Sequence, residues 1–177
     1  MERHQRGFSL VELMAALVIL GVLLGVGVPA FRQLIDSMRV HNAFHELSTS
    51  LAMARMSAVS GGATVLVCPS ADGRTCRQDS VWDQGWITFR ASGRLQRHPI
   101  SAEDILFLAS SPGHGLALRS NRPRIRFQPN GLSEGSNASV CIHAPGSGPA
   151  AGRVAVNGGG RIRSELPPQA GFCTDRP

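Results

Sequence analysis

The 177-residue sequence contains neither lysine nor tyrosine, so each of its 18 basic residues is an arginine. A chain without lysine cannot form a lysine Schiff base, and it cannot supply the lysine of a phosphate-binding loop. Both absences are the pattern expected of a GC-rich genome, which disfavours the codons of lysine and tyrosine. The length fits one domain with or without an appendage, because domains usually run to about 100–200 residues.

One long apolar run lies near the start of the chain. Residues 10–28, LVELMAALVILGVLLGVGV, contain a single charge, Glu12, and a run of this length predicts a membrane helix. The preceding segment carries Arg3 and Arg6, which predicts that it stays in the cytoplasm while the rest of the chain faces outward. An ordinary signal peptide would end at a small-residue cleavage site, and residues 28–31, VPAF, are a poor one. We therefore expect the apolar helix to be retained.

Glu12 is the anomaly of this run, because a carboxylate within a membrane helix costs roughly 2.5–3.5 kcal/mol unless it stays wet near the interface or finds a partner. A new amino terminus at Phe8 of a neighbouring copy would be such a partner. The heptapeptide GFSLVEL, which begins at Gly7 after a short basic leader, resembles the class III leader of type IV pilins and type II secretion pseudopilins. The resemblance implies that a prepilin peptidase removes residues 1–7, that the amine of Phe8 is methylated, and that Glu12 docks against a neighbouring subunit in a filament.

The spacing of apolar residues predicts one long helix. Beyond the membrane run they recur three or four positions apart, which is the pattern of an amphipathic helix packed on a soluble domain. We expect the helix to span residues 8–59, with about 8–30 in the membrane, and residues 60–177 to form a β-rich globular domain outside the cytoplasm. Three glycines and Pro29 between the two halves predict a bend or local melting.

The pattern changes after Gly61 and Gly62, which should end the helix. Short β runs follow, separated by turn residues. The candidate strands are residues 63–68, 86–90, 105–109, 124–128, 139–143, 153–156 and 161–163. We therefore predict an α+β fold in which the long amino-terminal helix packs on a small antiparallel β-sheet domain.

Four cysteines in an exported domain predict oxidation, and four allow three pairings. The order along the chain favours Cys68–Cys76, which would close a short loop, and Cys141–Cys173, which would tie the tail to a strand. Neither these spacings nor the six dispersed histidines predict a zinc site, and no cofactor is expected.

The chain shows little sign of catalytic machinery. Residues 146–152, GSGPAAG, do not match a dinucleotide-binding fingerprint, because the gap before the last glycine is one residue too long and the segment contains a proline. Residues 68–76, CPSADGRTC, and 82–89, WDQGWITF, instead resemble the FimT/GspH subfamily of minor pilins, as does the pair Ala54-Arg55 near the helix end. We therefore expect a structural or binding subunit and not an enzyme.

The basic excess lies in the second half of the mature chain. Residues 8–84 carry 5 arginines against 6 acidic residues, whereas residues 85–177 carry 11 against 5. In the segment RPRIRF, strand alternation places Arg122, Arg124 and Arg126 on one face, while the apolar residues between them point to the core. This face is the first candidate for binding a polyanion.

The second candidate is the segment GGGRIR, in which Arg161 and Arg163 share a strand face and Gly160 would let a backbone approach a ligand closely. Arginine presents a planar fork of donors that grips phosphate, and double-stranded DNA is the polyanion that suits such a stripe. Gly160 to Arg163, GRIR, resembles the GRxR motif near the carboxyl terminus of FimT proteins. That resemblance implies binding of DNA for uptake in natural transformation.

The resemblances together imply a minor type IV pilin of the FimT kind. It would cross the bacterial inner membrane once with its carboxy-terminal domain in the periplasm, and would then join other pilins in a filament. The prepilin peptidase and double-stranded DNA, bound without sequence specificity, would be its further partners. Two alternatives stay open: the arginines form only a solvated strand face, and the chain is a minor pseudopilin H of a type II secretion system, acting in protein secretion.

Overall fold

The computed structural model describes residues 10–93, 96–113, 115–135, 137–146, 149–166 and 173. The chain divides into two compact units, Met1–Asp36 and Ser37–Pro177. The expected processing site at Gly7 and Phe8 lies outside the described residues, so cleavage there stays a prediction.

Helix α1 runs from Leu10 to Gly61 and is 52 residues long. It continues through Pro29, so the local melting expected there is wrong, because proline removes a single backbone donor and the other bonds of a long helix remain. The alternative expectation, a bend, stays a prediction. The helix is long and apolar enough to cross a membrane, with a mean hydropathy of 2.5 over its most apolar stretch, none of which is buried. Gly62, at φ +59°, follows its last residue, as the glycine pair predicts.

Within the second unit, α1 buries one face. The buried positions recur three or four apart and therefore lie on one side of the helix. They are Val40, Ala43, Phe44, Leu47, Leu51, Ala54 and Ala58. The opposite side stays exposed, with Met53 at 41% and Met56 at 72%.

In the part of the chain that the structure describes, eight strands follow the helix. They are β1 Thr64–Pro69, β2 Gly85–Ala91, β3 Ile105–Ser110, β4 Ala117–Ser120, β5 Ile125–Phe127, β6 Ala138–His143, β7 Gly152–Val156 and β8 Ile162–Glu165. The first sheet has the order β3-β2-β1-β5 and the second sheet has the order β4-β6-β7-β8. Neighbouring strands in both sheets are antiparallel.

The α+β fold, with a long helix packed on a small antiparallel β domain, is confirmed. All seven candidate strands are present, but β4 was not expected and the strands form two sheets. The four residues of β4 contain one large apolar side chain, Leu118, which is too little pattern to identify a strand. Pairing with β6, in which Leu118 lies opposite Ile142, is what makes the segment a strand.

The main core lies between the helix and both sheets. Its largest fully buried side chains include Trp82, Trp86 and Phe127. A second apolar cluster lies on the other side of the first sheet, where Leu66 and Phe89 pack with Cys68 and Cys76. The central strand β1 has apolar clusters on both of its faces, and it is buried from Val65 to Pro69.

Candidate anion-binding site

The hairpin of β7 and β8 places several polar side chains on one face of the second sheet. Val154 and Val156 point into the core, so the alternate residues of β7 and their partners on β8 face outward. In the register, Arg153 lies opposite Glu165 and Ala155 lies opposite Arg163. The small side chain of Ala155 leaves space beside the longer ones around it.

The turn before β8 fixes where Arg161 stands. The amide of Gly160 donates to the carbonyl of Asn157 at 2.8 Å, and the amide of Asn157 donates to the carbonyl of Arg161 at 3.1 Å. The side chain of Asn157 accepts a further bond from the Arg161 amide at 2.9 Å. Gly160 adopts φ +70°, a conformation that favours glycine. The side chain of Arg161 therefore leaves a turn whose backbone is hydrogen-bonded at both ends.

These residues surround a cavity of about 420 Å³, which we call the arginine cavity. Its walls are formed by Asn137, Arg153, Ala155, Val156, Asn157, Arg161, Arg163 and Glu165. Arg161 and Arg163 are exposed, whereas the Arg153 side chain is 12% exposed and its Nη1 donates to Glu165 Oε2 at 3.2 Å. Since Arg153 and Glu165 offset one another, Arg161 and Arg163 supply the net positive charge.

Arg153 and Asn137 were missed by the sequence analysis. Arg153 belongs to the run RVAV, whose alternation does predict an outward arginine. Its position next to Arg163 depends on the pairing of β7 with β8, and Asn137 enters from the segment before β6. Neither neighbour can be read from a local pattern.

The expectation that Arg126 lies on an exposed face is wrong. Arg126 is 9% exposed, and its Nε lies 3.1 Å from Glu134 Oε2. Its Nη2 donates to the carbonyl of Gln96 at 3.0 Å and its Nη1 to that of Gly93 at 3.4 Å. The strand alternation is as expected, but the segments that contain these partners cover this side of the first sheet.

Arg124 is half-buried, and its Nη2 donates to Gln78 Oε1 at 3.4 Å. Burial and the positive charges of Arg97 and Arg126 lower the pKa of Arg124. These neighbours belong to the first sheet and its connections, so Arg124 and Arg126 are not among the residues that form the arginine cavity.

Arg122 is half-buried and has different neighbours. A Cβ atom placed on Gly135 would lie 3.7 Å from Arg122 Nη1, and one placed on Gly158 would lie 3.8 Å from the Gly135 carbonyl oxygen. Arg122 is thus close to the turn that precedes Arg161. The segment RPRIRF therefore divides: Arg122 lies near Gly135, beside the turn that precedes Arg161, but it is not part of the cavity wall.

The structure contains both disulfides expected from the chain order. Cys68 and Cys76 close a loop, with Cα atoms 5.5 Å apart, and Cys141 and Cys173 are joined with Cα atoms 5.9 Å apart. Cys141 lies opposite Arg153 in the β6–β7 register. The second disulfide therefore attaches Cys173 to the strand beside the arginine cavity.

Inside the first disulfide loop, Asp72 accepts hydrogen bonds from the amides of Arg74 and Thr75, each at 2.8 Å, and from the Thr75 hydroxyl at 2.8 Å. These donors hold the pKa of the Asp72 carboxyl well below its usual range. Among the described residues, no group of three histidine, cysteine or acidic side chains is placed to hold a metal ion.

The family described as Type II transport protein GspH matches residues 43–160, more than half of the chain. The chain belongs to the GspH family. A prokaryotic N-terminal methylation motif matches residues 3–28 of this GspH-family chain, the segment that contains the GFSLVEL heptapeptide. No curated protein sequence matches it.

Solved structures of pilins and pseudopilins share its fold. The type IV minor pilin FimU of Pseudomonas aeruginosa is 22% identical, with a TM-score of 0.56, over 73% of this chain and 97% of that one. The minor pseudopilin EpsH of the Vibrio cholerae type II secretion system is 14% identical, with a TM-score of 0.54, over 74% and 99%. Escherichia coli GspH is 14% identical, with a TM-score of 0.52, over 76% and 93%.

Proposed function

We propose that the mature chain is a minor filament subunit that binds double-stranded DNA through the arginine cavity. The observation that supports the proposal is the exposure of Arg161, in the turn before β8, and of Arg163, on β8, in the wall of one cavity. Glu165, the acidic residue of the cavity wall, is already paired with Arg153. Two guanidinium groups are thus presented to solvent in an environment of net positive charge.

The proposal includes the route by which the chain reaches a filament. A prepilin peptidase cuts after Gly7, the amine of Phe8 is methylated, and residues 8–30 anchor the chain in the inner membrane with residues 60–177 in the periplasm. The match to the methylation motif and the apolar, exposed half of α1 support this route. Two disulfides suit the oxidising periplasm. Intact-mass measurement on membrane-purified protein tests it, since a mature chain that does not begin at Phe8 contradicts it.

Phosphate is the part of DNA that these arginines suit. A guanidinium donates two parallel hydrogen bonds to phosphate oxygens, and contacts to the phosphate backbone carry no sequence information. Arg122, near the turn that precedes Arg161 but outside the cavity wall, is the further phosphate contact that we propose. Arg124 and Arg126 are left out, because their guanidinium groups lie against Gln78 and Glu134.

The test is DNA binding by the full-length mature protein in detergent micelles, measured by fluorescence anisotropy with two unrelated duplexes over a salt series. We expect the double variant Arg161→Ala/Arg163→Ala to lose at least about tenfold in affinity, or about 1.4 kcal/mol, for both duplexes alike. The slope of log affinity against log salt should flatten by about one unit for each lost contact.

The matched control is Arg74→Ala/Arg90→Ala, which removes two exposed arginines of the first sheet and its disulfide loop. This control removes the same number of positive charges as Arg161→Ala/Arg163→Ala. Because both of its arginines lie outside the arginine cavity, its DNA affinity and salt slope should stay near those of the unmodified protein. If both double variants behave alike, the arginine cavity is not the DNA site.

The second candidate function is that of a minor pseudopilin in protein secretion, which the GspH family match itself favours. Under this alternative the arginine cavity is a solvated surface and the protein's partners are other pseudopilins. Unchanged DNA affinity and salt slope in Arg161→Ala/Arg163→Ala, together with loss of protein secretion on deletion of the whole chain, would establish this function over DNA binding.

A further inference from the structure

Arg55 joins the helix to two separate turns. It lies half-buried near the end of α1, and its Nε donates to the carbonyl of Gly131 at 3.0 Å. Its Nη2 donates to the carbonyl of Gly159 at 3.4 Å. Two carbonyl oxygens that come from different parts of the chain thus share one guanidinium. A planar fork of donors suits this arrangement.

The two turns also contact each other directly. The amide of Ser133 donates to the carbonyl of Gly158 at 3.0 Å. A Cβ atom on Gly160 would lie 1.9 Å from the Gly131 carbonyl oxygen and 3.0 Å from Arg55 Nε. Gly160 is therefore a packing residue: its missing side chain is required by the neighbouring turn, not by an approaching ligand. This corrects the sequence-based interpretation of Gly160 as a DNA-binding residue.

We propose that Arg55 is a positioning residue for the arginine cavity. It holds the turn Asn157–Gly160 against the turn that contains Gly131, and so fixes the backbone from which Arg161 and Arg163 extend. Arg55 is not part of the cavity wall, so it acts through the turn. The inference rests on the proposed DNA binding for its functional consequence, whereas the clamp itself is independent of any ligand.

The first experiment measures the clamp without DNA. In hydrogen exchange of the full-length protein in micelles, Arg55→Met, which keeps an unbranched stem and removes every donor, should speed exchange of the amides of Ser133, Gly160 and Arg161. Arg55→Lys keeps the charge and one donor group, so its exchange rates at these amides should lie between those of Arg55→Met and those of the unmodified protein. Unchanged exchange of these amides in Arg55→Met would refute the clamp.

The second experiment asks whether the clamp acts on DNA binding through Arg161 and Arg163. In the unmodified background Arg55→Met should weaken binding by about threefold or more, as expected for coupled neighbours. In the Arg161→Ala/Arg163→Ala background it should have almost no further effect. Equal losses in both backgrounds, with a salt slope flatter by about one unit, would mean that Arg55 itself contacts phosphate.

A third variant tests the same contact between the two turns by changing Gly160 instead of Arg55. Gly160→Ala forces the two turns apart and should reproduce the Arg55→Met effects on exchange and on DNA affinity. Its control is Gly113→Ala, since Gly113 has a similar φ of +64° but open space around a Cβ. If the unmodified protein binds no DNA, the proposed function fails while the exchange measurements still decide whether Arg55 clamps the turn.

Discussion

Arg126 and Arg163 are both strand residues, yet their surroundings differ. Arg126 is 9% exposed and lies against Glu134, whereas Arg163 is exposed at the edge of a cavity. A buried guanidinium that loses its partner retains the cost of desolvation, while an exposed one is solvated by water. Exposure thus decides whether an arginine contributes to stability or is available to a ligand.

We expect Glu134→Gln to destabilise the protein, because it leaves the buried charge of Arg126 without its carboxylate. Breaking a buried ion pair costs about 3–5 kcal/mol, and the 28% exposure of the Glu134 side chain places the expected loss toward the lower end. Urea unfolding measures it. Arg163→Ala is the comparison, with an expected change below about 0.5 kcal/mol; similar losses in the two variants would contradict this assignment.

Among the elements, the hairpins and disulfide loops determine how side chains are presented. The β7–β8 turn is held by Asn157 and by contacts with the turn at Gly131. The Cys68–Cys76 loop is ordered by a covalent bond and by the hydrogen bonds that converge on Asp72. In both cases short polar segments without a core of their own are fixed by specific polar contacts.

The stability of the first disulfide loop should depend on pH through Asp72. Its folded pKa lies below the unfolded value of about 3.9, so its contribution is complete above that value and is lost as the pH falls through the folded pKa. Asp72→Asn should therefore be less stable than the unmodified protein at neutral pH, and the difference should narrow below about pH 4. Thermal unfolding across pH tests this expectation; a constant difference would contradict it.

At the scale of the whole molecule, the chain has two units of different character. The first unit exposes apolar side chains from Leu10 to Phe31, whereas the second buries its main apolar cluster between the helix and two sheets. A free soluble protein would not expose such a continuous apolar surface. In the proposed function, this apolar surface lies first in the membrane and then in the filament, and both are apolar environments.

We expect Glu12→Ala to leave the chain inserted in the membrane but poorly assembled into filaments. The substitution removes a carboxylate that is costly in lipid and, in the proposed function, the partner of a neighbouring subunit's amine. Membrane fractionation and the amount of subunit in sheared filaments measure the two effects. Glu46→Ala, on the second half of the helix, is the matched control and should assemble normally; normal assembly of Glu12→Ala would refute the docking role.

The long helix, its end at the glycine pair, seven of the eight described strands and both disulfides follow from the sequence, because each depends on local periodicity, turn residues or chain order. The outward position of Arg163 on β8 follows in the same way. Burial of Arg126 does not, since it depends on distant segments that cover the first sheet. The arginine cavity as a whole does not follow from the sequence either. Arg153 becomes part of its wall only because β7 pairs with β8. In the turn before Arg161, the carbonyl of Gly159 accepts a hydrogen bond at 3.4 Å from Nη2 of Arg55, which lies 104 positions earlier in the chain. Alternation tells which side of a strand a residue faces, but only the tertiary structure decides what lies on that side.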